Sequence, residues 1–171
     1  FSTPYSADSP PQLSRQWDSL LWDSVAQFYP WRMLAHRSFT EHGEFPLWNS
    51  YLFSGVPFAA NPQPALFYPP VWLVALLSPA RAVGVLFVLH LWIAAWGMYR
   101  WLRSEDASVA GALLGAGVFA CSGYGFARIY AGHVGVVMVQ AWLPWILRAC
   151  RRVLDRGRWA EAVLGGVPVG L

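Results

Sequence analysis

The sequence predicts an all-α fold: a polytopic bundle of transmembrane helices with an extracytoplasmic, amphipathic loop rich in proline and aromatic residues. Three observations lead there. Of the 171 residues, 56% are hydrophobic and 12% charged, about half the charge of a soluble globular domain. Eleven Trp and seven Tyr suit a protein that meets the bilayer–water boundary, where amphipathic rings gather. The mean hydropathy of +0.37 averages over long apolar runs separated by short charged clusters, the pattern of spans and their connections.

Taken in chain order, residues 1–22 are first rich in Ser and Pro, an exposed and irregular entry segment. From about residue 14 to 42 the pattern suggests short interfacial helices. Val25, Phe28, Met33 and Leu34 are apolar there, while Asp23, Gln27, Arg32, His36 and Arg37 are polar. Pro30 is expected to break or kink this stretch, because it lacks an N–H and clashes with the preceding turn. Arg37 and Glu41 stand i,i+4, the spacing of an exposed helical ion pair.

Residues 43–70 hold Gly43, Gly55 and six prolines, which exclude one continuous helix. Trp48, Tyr51, Phe53, Phe58, Phe67 and Tyr68 give this stretch the aromatic density of the headgroup level. It reads as a structured loop on the membrane surface, too apolar for disorder. Residues 71–77 are apolar but too short to cross about 30 Å of hydrocarbon. They are expected to be re-entrant, or to join the next run through a break at Pro79.

Residues 82–102 form the first full-length span. Residues 108–129 form the second, with Gly111, Ala112, Gly115, Ala116 and Gly117 permitting close helix approach. Residues 134–147, extended to about Cys150, form the third, and residues 159–171 begin a fourth. The chain thus divides into an extracytoplasmic part, 1–80, and a transmembrane part, 81–171. With no Met at the front, no signal-peptide pattern and an apolar run at the end, it is expected to be a fragment truncated at both ends.

All twelve basic residues are Arg. Arg100 and Arg103 lie between the first and second spans, and Arg148, Arg151, Arg152, Arg156 and Arg158 between the third and fourth. The positive-inside rule then puts Arg103 and Arg151 in the cytoplasm, and Arg128 with residues 1–80 outside. Nucleic acid is excluded as a partner, since no solvated basic face gathers these charges. Cys121 and Cys150 fall in or beside apolar segments and read as buried free thiols, which do not report the redox compartment. No Cys/His pair has zinc-ligand spacing.

The candidates for chemistry are few. Asp23, near the expected membrane surface, can serve as a general base or bind a divalent cation; as a plain structural residue it complements a helix N-terminus. Arg32, Arg37 and Arg128 are the external cations, suited either to phosphate recognition or to snorkelling toward headgroups. His133 follows Gly132 in an external turn on the side of Asp23. His90, mid-span, reads as a neutral packing residue with hydrogen bonds. Amides and aromatic faces are what a sugar ring needs, and Trp48, Asn49, Gln63 and Tyr68 supply them. Asn61, before Pro62, reads as a turn former.

The segment GEFPLWNSYLFSGVPFAANPQPALFYPP, preceded by WDSVAQFYPWR, resembles the first external loop of YfhO-type bacterial membrane proteins, which are similar in turn to GT-C glycosyltransferases. HLWIAAWGMYRWLR and CSGYGFARIYAGHVGVVMVQAWLPW follow in matching order, so the resemblance covers about residues 22–145. It implies a GT-C-like bundle and a transferase that uses a polyprenyl-phosphate-linked sugar donor at the outer membrane face. It further implies a catalytic Asp in the first external loop, at Asp23 here. Arg128 would hold the departing phosphate, and His133 would assist it. Many GT-C enzymes carry a second acidic residue in the next external loop. Residues 128–135 hold none, which leaves a divalent cation as an open cofactor. The expected partners are the bilayer, the lipid-linked donor, and a cell-envelope glycan or protein acceptor. Two other classes stand beside this one: a transporter or flippase of lipid-linked sugar, which needs polar residues at bilayer depth, and a non-catalytic assembly subunit, which would tolerate loss of Asp23.

Overall fold

The computed structural model describes residues 24–156. Asp23, the Ser/Pro-rich entry segment and the fourth expected span lie outside the described residues.

The chain enters through a continuous helical stretch. A π turn, Ser24–Phe28, leads into α1, Tyr29–Arg37, and a second π turn, Ser38–His42, follows. Pro30 does not break it. The wide turn before it places Pro30 in the first turn of α1, where no intrahelical N–H is required of it. Gly43, at φ 65°, ends the stretch in the left-handed conformation that glycine adopts without strain. The Arg37–Glu41 pair forms at 4.0 Å between exposed side chains, a contribution of at most about 1 kcal/mol.

A two-residue antiparallel ladder follows, β1 (Trp48–Asn49) against β2 (Val56–Pro57), with Trp48 opposite Pro57. Between the strands, Phe53, Ser54 and Gly55 all have positive φ. Gly55 is obligatory here on two counts. Its φ is 119°, and a Cβ would stand 2.6 Å from the indole nitrogen of Trp48. Residues 71–77 are not continuous with the next helix. They belong largely to a short 3-10 segment, Pro69–Ala75, whose Val71 and Val74 are fully buried.

α2 runs Pro79–Ser104, long enough at 1.5 Å per residue to cross a bilayer. The second expected span is two helices, α3 (Val109–Ala120) and α4 (Gly123–Tyr130), interrupted at Cys121. Ser108 and Ser122 begin them by the same device. Each Oγ accepts the N–H of a glycine three residues on, at 3.1 and 3.2 Å. The Ser-Gly-x-Gly run therefore restarts the helix where periodicity alone reads straight through. α5, Val134–Arg156, contains Pro144.

Among the described residues, two stretches are long and apolar enough to cross a membrane: Pro79–Ser104 and Val109–Tyr130. Only 28% and 17% of their most apolar windows are buried inside the protein. Val88, Trp92, Leu113, Leu114 and Val118 instead point outward. A soluble core helix hides such residues, whereas these faces suit lipid or further helices. Cys121 and Cys150 are exposed rather than buried. In such a helix an apolar neighbourhood in sequence does not imply protein on every side.

α2 is the centre of the bundle, packed against both α3 and α5. It runs parallel to α5. Leu86 clusters with Val134 and Met138 near one end, the indole of Trp145 donates to the Ile93 carbonyl at 3.1 Å, and Arg151 pairs with Glu105 at 3.6 Å near the other. α3 returns antiparallel through a stripe of small residues, Ala112, Ala116 and Ala120. Two of the three buried clusters cross the expected division at residue 80. One joins Ala35, Phe58, Leu66 and Val74 to Ala82; the other joins Tyr68 and Val71 to Leu86, Val134 and Met138. The loop thus shares its core with the start of the bundle.

Candidate functional site

Two polar residues expected on the outer face of α1 face inward. Arg32 is 3% exposed and donates from Nη1 to the Pro64 carbonyl at 2.8 Å. Burial lowers its pKa to about 10, so it stays protonated at neutral pH. One turn later, Nδ1 of His36 donates to the Val74 carbonyl. The i,i+4 pair thus satisfies two loop carbonyls that irregular backbone would otherwise leave unpaired. A phosphate at Arg32 would have to displace this tie. Arg32 therefore holds the loop in place, a role that its sequence position among polar neighbours does not reveal.

Tyr68 is also buried, and its partners form a closed chain of hydrogen bonds. The Trp142 indole donates to the Tyr68 hydroxyl at 2.8 Å, and the Tyr68 hydroxyl lies 2.7 Å from Nε2 of His90. Nδ1 of His90 lies 2.7 Å from the Leu86 carbonyl. That carbonyl can only accept, so Nδ1 carries the proton, Nε2 accepts, and Tyr68 donates to it. Burial pushes the Tyr68 phenol above its ordinary range, with the Trp142 bond pulling the other way. The chain joins loop, α2 and α5 with each member satisfied. It makes Tyr68 a latch rather than an exposed sugar platform. Tyr68→Phe is expected to orphan the part-buried Trp142 donor and the buried His90 acceptor and cost about 2 kcal/mol in thermal unfolding. His90→Leu added to it should cost less than on the wild-type background. Full additivity of the two would show that the residues are not coupled.

Of the other expected sugar contacts, Asn49 is buried, and its Oδ1 accepts the Tyr51 N–H at 3.0 Å, capping the hairpin turn. Phe58, expected at headgroup level, is a core residue. Trp48 is exposed with one edge against Gly55. Gln63 is exposed and accepts from the Gln27 side chain. Asn61 makes the expected turn, its Oδ1 accepting the Gln63 N–H at 3.0 Å.

Arg128 and His133 do come together. α4 ends in a Schellman turn: the His133 N–H bonds the Arg128 carbonyl and the Gly132 N–H bonds that of Ile129, both at 2.9 Å, with Gly132 at φ 73°. This reversal sets the Arg128 guanidinium 3.3 Å from Nδ1 of His133. Arg128 also lies over the ring of Tyr124, one turn earlier, at 4.9 Å, a cation–π contact that steadies the cation. The ring of Phe28 meets that of His133 edge-on at 6.3 Å. Phe28 stands five residues after Asp23 in sequence. A forked cation beside an imidazole is suited to gripping an oxyanion.

Two open clefts, of about 240 and 340 Å³, lie elsewhere, between α1 and the hairpin, where Leu34, Arg37 and Tyr51 line both. Neither includes Arg128 or His133. The Arg128–His133 corner is therefore a cluster of side chains rather than one of these hollows. Among the described residues, no three His, Cys, Asp or Glu gather as metal ligands.

Fold and corner together define a mostly helical protein in which, among the described residues, two stretches are able by length and composition to cross a bilayer. No protein-family model matches the chain, nor does any curated protein or solved structure.

Proposed function

We propose that this chain belongs to a membrane glycosyltransferase that moves a sugar from a polyprenyl-phosphate carrier to an extracytoplasmic acceptor, a cell-envelope glycan or protein. The observation that carries the reading is the Arg128–His133 pair, which Phe28 joins to the helical stretch that follows Asp23. Glycosyl transfer needs a base for the acceptor hydroxyl and a cation for the departing phosphate. Asp23 supplies the first and Arg128 the second, with His133 fixing the guanidinium. Supporting this, Arg128 and the loop cluster at the bundle end opposite the Arg151–Glu105 pair. By the positive-inside rule the Arg151 end is cytoplasmic and the Arg128 end extracytoplasmic, in a bacterial inner membrane.

The test is transfer by the full-length protein in proteoliposomes supplied with a polyprenyl-phosphate hexose and an acceptor. Arg128→Ala should lower turnover about 100-fold, as loss of a transition-state donor does. Arg128→Lys should retain part of it, since the charge stays and the fork is lost. Unchanged turnover in Arg128→Ala would remove the phosphate role. A wild-type protein that moves the carrier across the bilayer without transferring sugar would overturn the enzymatic reading.

A further inference from the structure

From Phe45 to Ala80 there is no Asp, Glu, Lys, Arg or His. A water-facing segment of that length ordinarily carries a charge at about every fourth residue. Yet much of this surface is exposed. Tyr51 is 75% and Phe53 90% exposed at the hairpin tip, and Leu52 lies between them. Along the same uncharged stretch Phe67, Trp72 and Leu76 are exposed as well, the last at 81%, immediately before α2 begins at Pro79.

The tip is built to hold its side chains outward. Phe53 and Ser54 take φ of 48° and 63°, a conformation that costs a non-glycine residue free energy. β1 and β2 close the turn from below, with Asn49 capping it and Gly55 packed on Trp48. Strain held by surrounding structure, with an aromatic ring left almost wholly bare, calls for an occupant beyond the described residues.

We infer that the β1–β2 tip, Tyr51-Leu52-Phe53, is a membrane-inserting finger whose occupant is the lipid surface itself. Protein–protein contacts surround their aromatic centre with a polar and charged rim; the run from Phe45 to Ala80 supplies no charge of its own, and Arg37, Glu41 and Glu44 meet it at the cleft that Trp48 and Tyr51 line. Tyr, Trp, Phe and Leu without charge are the composition of the interfacial belt. The exposed surface also continues along the chain through Trp72 and Leu76 to a helix apolar enough to span a bilayer. Because the tip itself holds no Asp, Glu, Lys, Arg or His, insertion draws on apolar burial and is independent of anionic lipid and of salt. The finger rests on the membrane part of the functional reading and not on its chemistry.

Site-directed spin labelling tests it. In full-length protein carrying Cys121→Ala and Cys150→Ala, a nitroxide is attached at Phe53→Cys, at Val88→Cys on the outer face of α2, and at Glu41→Cys on the charged end of the entry helix. Collision rates with oxygen and with a water-soluble nickel chelate are read in phosphatidylcholine nanodiscs, with and without phosphatidylglycerol. The oxygen-to-nickel ratio at residue 53 should exceed that at 41 several-fold, approach that at 88, and not change with lipid charge or salt. A residue-53 ratio equal to that at 41, with 88 still in lipid, would overturn the finger and leave the membrane reading standing. An aqueous ratio at 88 would defeat both. Immobilisation of the label at 53 by a protein partner, with nickel still accessible, would also overturn the lipid assignment.

Discussion

Gly97→Val is expected to separate α2 from α5 and cost about 3 kcal/mol. The indole of Trp145 occupies the space that any Cβ at Gly97 would need. It cannot swing away cheaply, because its nitrogen donates to the Ile93 carbonyl one turn back on α2. A branched side chain must therefore push the helices apart. The parallel α2–α5 contact supports both the Tyr68–His90–Trp142 chain and the start of α5, where His133 stands. The measurement is thermal unfolding in detergent or nanodiscs. Trp145→Ala should be destabilising alone, by the cavity it leaves. Combined with Gly97→Val it should cost clearly less than the sum of the two, because the valine enters the vacated space. Additive losses would mean that the two positions do not share that space.

Asp23→Asn is expected to lower sugar transfer at least about 100-fold while leaving the unfolding temperature and donor binding near wild type. The substitution keeps size and shape but removes both the negative charge and the proton acceptor. Asp23→Glu, which restores the carboxylate on a longer stem, should recover part of the rate. Asp23 lies outside the described residues, and this expectation follows from the proposed chemistry and from its position five residues before Phe28. A variant that transfers sugar normally would take Asp23 out of the mechanism and favour an assembly role.

Two of the expected spans, 82–102 and 108–129, coincide to within a few residues with the stretches long and apolar enough to cross a membrane, because a run of some twenty apolar residues has few alternatives. The third, 134–147, lies in α5, which is not among them. The small-residue approach of α3 to α2 was legible too, though the buried stripe proved to be Ala112, Ala116 and Ala120, while Gly117 faces open space. The restart at Ser122 was present in the sequence as a capping pattern and was masked by continuous hydropathy. Arg32 and His36 were misread for a different reason. Polar side chains in an amphipathic stretch were assigned to water, but irregular loop backbone brings its own carbonyls, and these attracted the donors inward. Tyr68 and Asn49 were misplaced likewise, since the same groups that grip a sugar also cap turns and bridge helices. Arg128 and His133 were singled out one by one. Their meeting depends on the left-handed turn at Gly132, and the Gly-His pair in sequence hints at it.

The sequence by itself determined which segments are helical and apolar enough to cross a bilayer, and that the stretch before them is uncharged, aromatic and broken by proline. Those properties are local, set by composition and by the few residues that start or stop a helix. Tertiary structure alone decided which polar side chains turn inward, that α2 and α5 run side by side in the same direction, and that Phe28 reaches His133. Each depends on where distant backbone carbonyls and rings come to lie, and spacing along one segment carries no record of that.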